Sequence, residues 1–126
     1  MPRKHKADVG AIGWFDLTVE NAPKMRAFYR KVVGWKSSSV DMGGYEDFCM
    51  NKSEDSQIVA GICHSRGENS SLPPQWLLYI TVANLNASLR KCQPAGGKVL
   101  SKPRALGEGR MAVIQDPAGA VAALYE

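Results

Sequence analysis

Apolar residues in the first half of the chain follow two different periods. From residue 11 to residue 19, β-branched and aromatic residues predominate, which predicts a strand. Asn21 can cap a helix that begins after it, and Gly34 can end that helix. Between them apolar side chains recur three or four positions apart, as on one face of a helix: Met25, Phe28, Tyr29, Val32 and Val33. Further strands are predicted at 35–41, 45–51 and 57–63, which gives the order βαβββ.

The second half repeats this order. Strands are predicted at 76–82, 98–101, 110–115 and 119–125, with a helix that begins after Asn84 and ends near Pro94. Val19 corresponds to Val82 with a shift of 63 positions (82 − 19), and the same shift places Gly34 on Gly97. Two copies of one unit predict a single α+β domain with an internal repeat. We assign module one to residues 10–63, a polar linker to 64–74 and module two to 75–126.

Composition excludes several classes of protein. With 126 residues and 44% hydrophobic content, the chain can bury one core, and it contains no apolar run of about 20 residues that could span a membrane. The basic start, residues 1–6, lacks the apolar segment of a signal peptide. Three cysteines without metal-binding spacing favour a reducing compartment, so we expect a cytoplasmic protein that associates with no membrane.

The net charge of +4 is distributed over the N-terminal segment and the predicted helices. Nucleic-acid binding needs a continuous basic face with aromatic or polar side chains between the charges, and the pair Arg26 and Arg30 supplies only a fragment of one. We therefore interpret the basic residues as solvated helix faces and expect no nucleic-acid partner.

Three motifs in this order resemble the glyoxalase / bleomycin-resistance / extradiol-dioxygenase superfamily, also called the vicinal-oxygen-chelate fold. They are the helix end 28–35 (FYRKVVGW), the segment 96–99 (GGKV) and the turn 116–119 (DPAG). The resemblance implies two βαβββ modules that form a cup-shaped, eight-stranded mixed sheet with helices on the convex face. It also implies a homodimer. In metalloenzymes of this group, four side chains, two from each module, hold one divalent cation.

The four ligand positions implied by the resemblance carry no metal-binding side chain here. They fall on Trp14 and Leu77 in the opening strands, on Ala123 in the last strand, and, by the 63-residue shift, on Ala60. None of these side chains offers the carboxylate, imidazole or thiolate that a cation requires. Asp16, His64 and Glu126 are displaced from these positions. We therefore predict no metal and no cofactor.

Strand alternation predicts which side chains would line the cup. The candidate ligand-binding residues are Trp14, Asp16, Leu77, Tyr79, Arg110 and Tyr125. Most are apolar or aromatic, as in a small-molecule site with few polar groups. Asp16 is the candidate general base, and the alternative is a structural carboxylate that pairs with a buried donor or with Arg110. Tyr79 and Tyr125 either stack on a ligand or belong to the core.

These observations favour one function and leave two others open. The leading hypothesis is a metal-independent protein of the bleomycin-resistance type that binds a small, partly apolar or aromatic molecule. The second is a metal-free lyase or isomerase that uses Asp16 as base. The third is a regulatory or interaction module that contacts a partner through its basic helix faces.

Overall fold

The computed structural model describes residues 8–126, and the basic segment 1–6 lies outside this range. The chain divides into two compact units. We call Phe15–Trp76 the N-terminal unit, and residues 8–14 together with Leu77–Glu126 the C-terminal unit. The segment before the first strand belongs to the C-terminal unit because the backbone of Thr81 binds it. Gly10 N donates to Thr81 O over 2.7 Å, and Thr81 N donates to Ala11 O over 2.9 Å.

The N-terminal unit has the predicted order βαβββ. Its sheet order is β2-β3-β4-β1, in which β1 and β4 are parallel and the other neighbours are antiparallel. The elements are β1 (Ile12–Val19, whose first residues belong to the C-terminal unit), α1 (Ala22–Val33), β2 (Lys36–Asp41), β3 (Glu46–Asn51) and β4 (Ile58–His64).

Local signals set both ends of α1. The Asn21 side chain accepts a hydrogen bond from Lys24 N over 3.1 Å, and Pro23 occupies the first turn, where its missing N–H costs nothing. Gly34 ends the helix with φ of 85°, a left-handed conformation that glycine adopts without steric cost. The predicted helix limits are therefore confirmed.

Helix α1 covers one face of the N-terminal sheet. Leu17, Phe48, Met50 and Ile62 from three strands pack with Ala22 of the helix in one buried cluster. The opposite face of this sheet carries the alternate strand residues and faces away from α1. We call it the helix-free face of the unit.

The C-terminal unit repeats the plan with one additional strand. Its sheet order is β5-β9-β8-β6, β7 also pairs with β8, and the buried cluster of Leu85, Ala112 and Leu124 places α2 on one face. The elements are β5 (Trp76–Thr81, whose first residue belongs to the N-terminal unit), α2 (Leu85–Cys92), β6 (Lys98–Val99), β7 (Arg104–Leu106), β8 (Gly109–Gln115) and β9 (Val121–Tyr125).

The described residues thus form nine strands and two α-helices, with a short 3-10 helix at Gly67–Asn69, and the α+β class is confirmed. The prediction of eight strands missed β7, which is only three residues long and too short to show a period of two. None of the helices in the described range has the length and apolar character needed to cross a lipid bilayer.

Candidate functional site

The pairing of β5, β8 and β9 fixes which side chains of the C-terminal unit face away from α2. Tyr79 lies opposite Ala123, and Thr81 lies opposite Tyr125. Because Leu124 packs against α2, its neighbours Ala123 and Tyr125 point to the helix-free face. Leu77 and Tyr79 follow by alternation along β5. The structure therefore brings three of the predicted ligand-binding residues to one face of the unit: Leu77, Tyr79 and Tyr125.

This face is apolar, aromatic and closely packed. Trp14, Leu77, Tyr79 and Tyr125 are all buried. The Tyr125 hydroxyl donates to Leu106 O over 3.1 Å, and burial raises the pKa of the Tyr125 phenol. Tyr125 is therefore held as a neutral phenol whose hydrogen already has an acceptor. The side chains of this face are therefore mainly aromatic rings and aliphatic groups.

Arg110 does not belong to this group. It shares a face of β8 with Ala112, which packs against α2, so its side chain lies on the helix side. There Arg110 Nη2 lies 3.8 Å from Glu126 Oε1, and the same carboxylate oxygen accepts a hydrogen bond from Leu85 N over 2.6 Å. Glu126 thus caps the start of α2.

Strand pairing assigns a different residue to one of the four metal-ligand positions expected from the repeat. Asn51 pairs with Ile58 and Met50 pairs with Ala60, so Val59 is an extra residue in β4. Ala60 consequently lies on the helix side, next to Met50. Gly61 pairs with Asp16 as Ala123 pairs with Tyr79, so the counterpart of Ala123 is Gly61, at a shift of 62 (123 − 61).

The corrected set fits a cation no better than the predicted one. Trp14, Gly61, Leu77 and Ala123 have no side-chain oxygen, imidazole or thiolate to donate. Within residues 8–126 no three His, Cys, Asp or Glu side chains are grouped in a way that could hold a metal ion. The residues present at these positions therefore do not fit the four-ligand site of the metalloenzymes.

The helix-free face of the N-terminal unit is more polar. Asp16 on β1 pairs with Gly61 on β4, and Gly61 pairs with Cys49 on β3. Because Gly61 has no side chain, nothing projects from β4 between the Asp16 carboxylate and the Cys49 thiol. Asp16 is buried, and its negative charge acts on Cys63, which follows two residues after Gly61. A buried carboxylate can serve as a general base.

Asp47 is a second buried carboxylate of this unit, and no pattern in the sequence pointed to it. Its Oδ1 accepts a hydrogen bond from His64 N over 2.9 Å and lies 3.1 Å from His64 Nδ1. The Asp47 side chain thus replaces a backbone carbonyl as the partner of β4, just beyond the last paired residues, Phe48 and Ile62. His64 was expected in a loop, but it is the last residue of β4.

The Cys63 thiol is expected to be weakly reactive. Burial raises its pKa most, and the negative charges of Asp16 and Asp47 and a hydrogen bond to Asp47 raise it further. A thiol that keeps its proton is a poor nucleophile, because the thiolate is the reactive form. In these surroundings Cys63 behaves as a small apolar residue.

We predict that the raised pKa of Cys63 lowers protein stability at alkaline pH. Above about pH 9 the unfolded chain releases the thiol proton while the folded protein retains it, so the free energy of unfolding falls as pH rises, by up to about 1.4 kcal/mol per pH unit. Urea unfolding between pH 8 and 10 will measure this slope, and Cys63→Ala is expected to make it shallower. Equal slopes in both proteins would show that Cys63 ionises normally.

The two repeated units and their helix-free faces define an α+β protein built on duplicated βαβββ modules. The chain belongs to the Glyoxalase/Bleomycin resistance protein/Dioxygenase superfamily, whose family model matches residues 11–124.

Two relatives from Streptomyces are similar in sequence. Anthracycline biosynthesis protein DnrV of Streptomyces peucetius is 31% identical over an alignment 132 residues long, and the alignment covers 92% of this chain and 46% of that protein. Anthracycline biosynthesis protein DauV of Streptomyces sp. (strain C5) is 28% identical over 111 residues, which cover 88% of this chain and 39% of that protein. The chain thus spans less than half the length of these curated relatives.

A solved structure supports the fold. Methylmalonyl-CoA epimerase from Mycobacterium tuberculosis superimposes with a TM-score of 0.56 over 98% of this chain and 92% of that one. The sequence identity is 15%, so this similarity concerns the fold alone.

Proposed function

We propose that this protein is a metal-independent member of the superfamily that binds a small, partly apolar or aromatic molecule. The observation that carries the proposal is the set of residues at the four cation positions, Trp14, Gly61, Leu77 and Ala123. They replace metal ligands with apolar side chains or with none. Apolar area supplies affinity for a small molecule, and a few polar groups suffice to orient it.

We assign binding to the helix-free face of the C-terminal unit, where Tyr79 and Tyr125 lie among aliphatic side chains. Aromatic side chains favour aromatic ligands, since offset stacking adds about 0.5–1.5 kcal/mol beyond the buried area. The names of the two Streptomyces relatives point the same way, because anthracyclines are polycyclic aromatic compounds.

Binding at this face must be accompanied by movement. Trp14, Tyr79 and Tyr125 are buried, so a ligand reaches their rings only when the side chains that cover them separate. Opening of this kind lowers the apparent affinity by the fraction of molecules that are open. It also gives a signal, because the surroundings of Trp14 change when a ligand enters.

The expected result with the anthraquinone quinizarin, which resembles the anthracycline chromophore, is saturable binding that does not change when EDTA is added. Absorbance titration measures the binding, and elemental analysis of the purified protein measures bound metal. Bovine serum albumin treated in the same way controls for non-specific uptake of an apolar dye. Stoichiometric zinc, nickel or iron, or binding that requires a divalent cation, would contradict metal independence.

A second candidate function is a metal-free lyase or isomerase with Asp16 as base. It is favoured by the buried Asp16 carboxylate, whose strand neighbour Gly61 carries no side chain. The same titration separates the two functions when the products are followed by mass spectrometry. A binding protein returns quinizarin unchanged with both the wild type and Asp16→Asn, whereas conversion by the wild type alone would favour the enzyme.

A further inference from the structure

We propose that the N-terminal unit holds a second small-molecule site, on the helix side of its sheet, for a neutral planar molecule of one or two aromatic rings. The site is a cavity of about 280 Å³, which we call the tryptophan cavity. Among the described residues its walls are apolar or aromatic and are formed by Phe15, Trp35, Val59, Ala60 and Trp76.

The strands leave room for this cavity in two ways. Phe15 remains 41% exposed, whereas Leu17, two residues further along the same face of β1, is 5% exposed beneath α1. The floor is Ala60, whose side chain is a single methyl group, and beside it lies the bulged residue Val59. Bulges redirect side chains and are frequent next to binding sites. Ala60 faces the helix side because it pairs with Met50, and the bulged residue Val59 precedes it in β4.

Contacts among three aromatic residues hold the walls in place without a ligand. Trp35 and Trp76 meet at 81° with ring centroids 6.0 Å apart, so their rings form a corner. Tyr29 stacks on Trp35 at 5.8 Å and meets Trp76 edge-on at 5.3 Å. In addition, Trp76 Nε1 donates a hydrogen bond to the Tyr29 hydroxyl over 3.0 Å. Side chains ordered in advance lose little entropy when a ligand binds.

The shape and chemistry of the cavity select the ligand. A ring that enters the corner can stack on one indole while its edge meets the face of the other, which are the two geometries that aromatic pairs prefer. An apolar protein cavity of about 150 Å³ accommodates benzene, so about 280 Å³ accommodates one or two fused rings. Because the lining has no polar atom to pair with a charge, the bound ring is neutral and its polar substituents project to solvent.

Unlabelled indole is a suitable probe because it is a neutral two-ring molecule. In ¹⁵N-labelled protein the three tryptophans each give one indole N–H signal, which replacement by phenylalanine assigns. We expect the Trp35 and Trp76 signals to shift together and saturate as indole is added, while the Trp14 signal stays in place. Trp14 lies in the other unit and reports on the proposed function, so failure of one proposal leaves the other untouched.

Two variants test the location of the bound probe. Phe15→Ala is expected to weaken indole binding by about tenfold, the equivalent of about 1.4 kcal/mol of lost ring contact. Ala60→Leu is expected to abolish binding because the larger side chain fills the cavity. Met42→Ala is the control: Met42 is 43% exposed, close to the value for Phe15, and lies in the same unit but does not line the cavity, so affinity should stay within about twofold of the wild type.

Three results would overturn the proposal. The first is a shift of the Trp14 signal alone, or of none of the three signals. The second is equal affinity of Phe15→Ala and wild-type protein for indole. The third is movement of the Trp35 and Trp76 signals with protein concentration in the absence of indole, since it would show that the cavity receives a side chain from a second copy of the chain.

Discussion

Replacing Gly109 by alanine is expected to lower the free energy of unfolding by about 3 kcal/mol, at the upper end of the usual cost of overpacking. A Cβ atom at Gly109 would overlap the backbone carbonyl oxygen of Glu126 and lie 2.8 Å from the Tyr125 hydroxyl. The first obstacle is backbone, so no rotation of a side chain relieves it. The strand ends must separate instead.

That separation would also disturb α2. Two backbone hydrogen bonds join the start of β8 to the end of the chain, from Arg110 N to Glu126 O over 2.8 Å and from Glu126 N to Arg110 O over 2.9 Å. The Glu126 carboxylate in turn accepts the hydrogen bond from Leu85 N. Displacing Glu126 therefore removes a cap from the helix, and an unpaired helix N–H adds to the cost.

Urea unfolding followed by far-UV circular dichroism will measure the effect. Gly13→Ala is the control, because a Cβ atom there meets only the Thr81 hydroxyl, at an ordinary van der Waals distance of 3.8 Å. We expect Gly13→Ala to change stability by less than about 1 kcal/mol. Equal losses in the two variants would mean that the close approach of Glu126 to Gly109 does not constrain the fold.

Features determined by neighbouring residues were predictable from the sequence. The limits of α1 follow from Asn21 and Gly34, which act within one turn of the helix. Helix α2 likewise begins after Asn84, whose side chain accepts a hydrogen bond from Ala87 N over 2.9 Å. The βαβββ order and the helix-free positions of Leu77 and Tyr79 were predictable for the same reason, since the period of a strand is a local property.

Features that depend on pairing between distant strands were not predictable. The shift of 63 positions relates the helix caps Asn21 and Asn84, but the strand pairing gives 62 on the last strands (123 − 61). A one-residue change in register reverses every side chain that follows, so the sequence assigned Ala60 where the structure has Gly61. Arg110 was placed on the wrong face of β8 for a related reason, because only pairing with β9 fixes that face.

Asp47 shows the same limit for a polar residue. In the sequence it is an ordinary acidic residue within a predicted strand, and its partner His64 is 17 positions away. The pairing of β3 with β4 ends at Phe48 and Ile62, so the His64 N–H has no backbone partner on β3 and binds the Asp47 side chain instead. The role of Asp47 therefore follows from its hydrogen bonds to His64, which depend on strand pairing.

Replacing Asp47 by alanine is expected to lower the free energy of unfolding by about 3 kcal/mol, the upper range for leaving buried donors without an acceptor. The change removes the carboxylate oxygen that binds both the backbone N–H and the ring of His64. Asp47→Asn retains a side-chain oxygen for the backbone N–H, so its cost should be about half as large. Urea unfolding at pH 7 compares the two variants.

The reactivity of Cys63 provides an independent check of the same interaction. The negative charge of Asp47 helps to raise the pKa of this thiol, so Asp47→Asn should lower the pKa and speed the reaction of Cys63 with a disulfide reagent at pH 8. A Cys63→Ala background identifies which thiol reacts. If Asp47→Ala and Asp47→Asn are equally stable, the hydrogen bond to His64 N is not what Asp47 contributes. If the thiol reacts no faster in Asp47→Asn, the carboxylate charge does not reach Cys63.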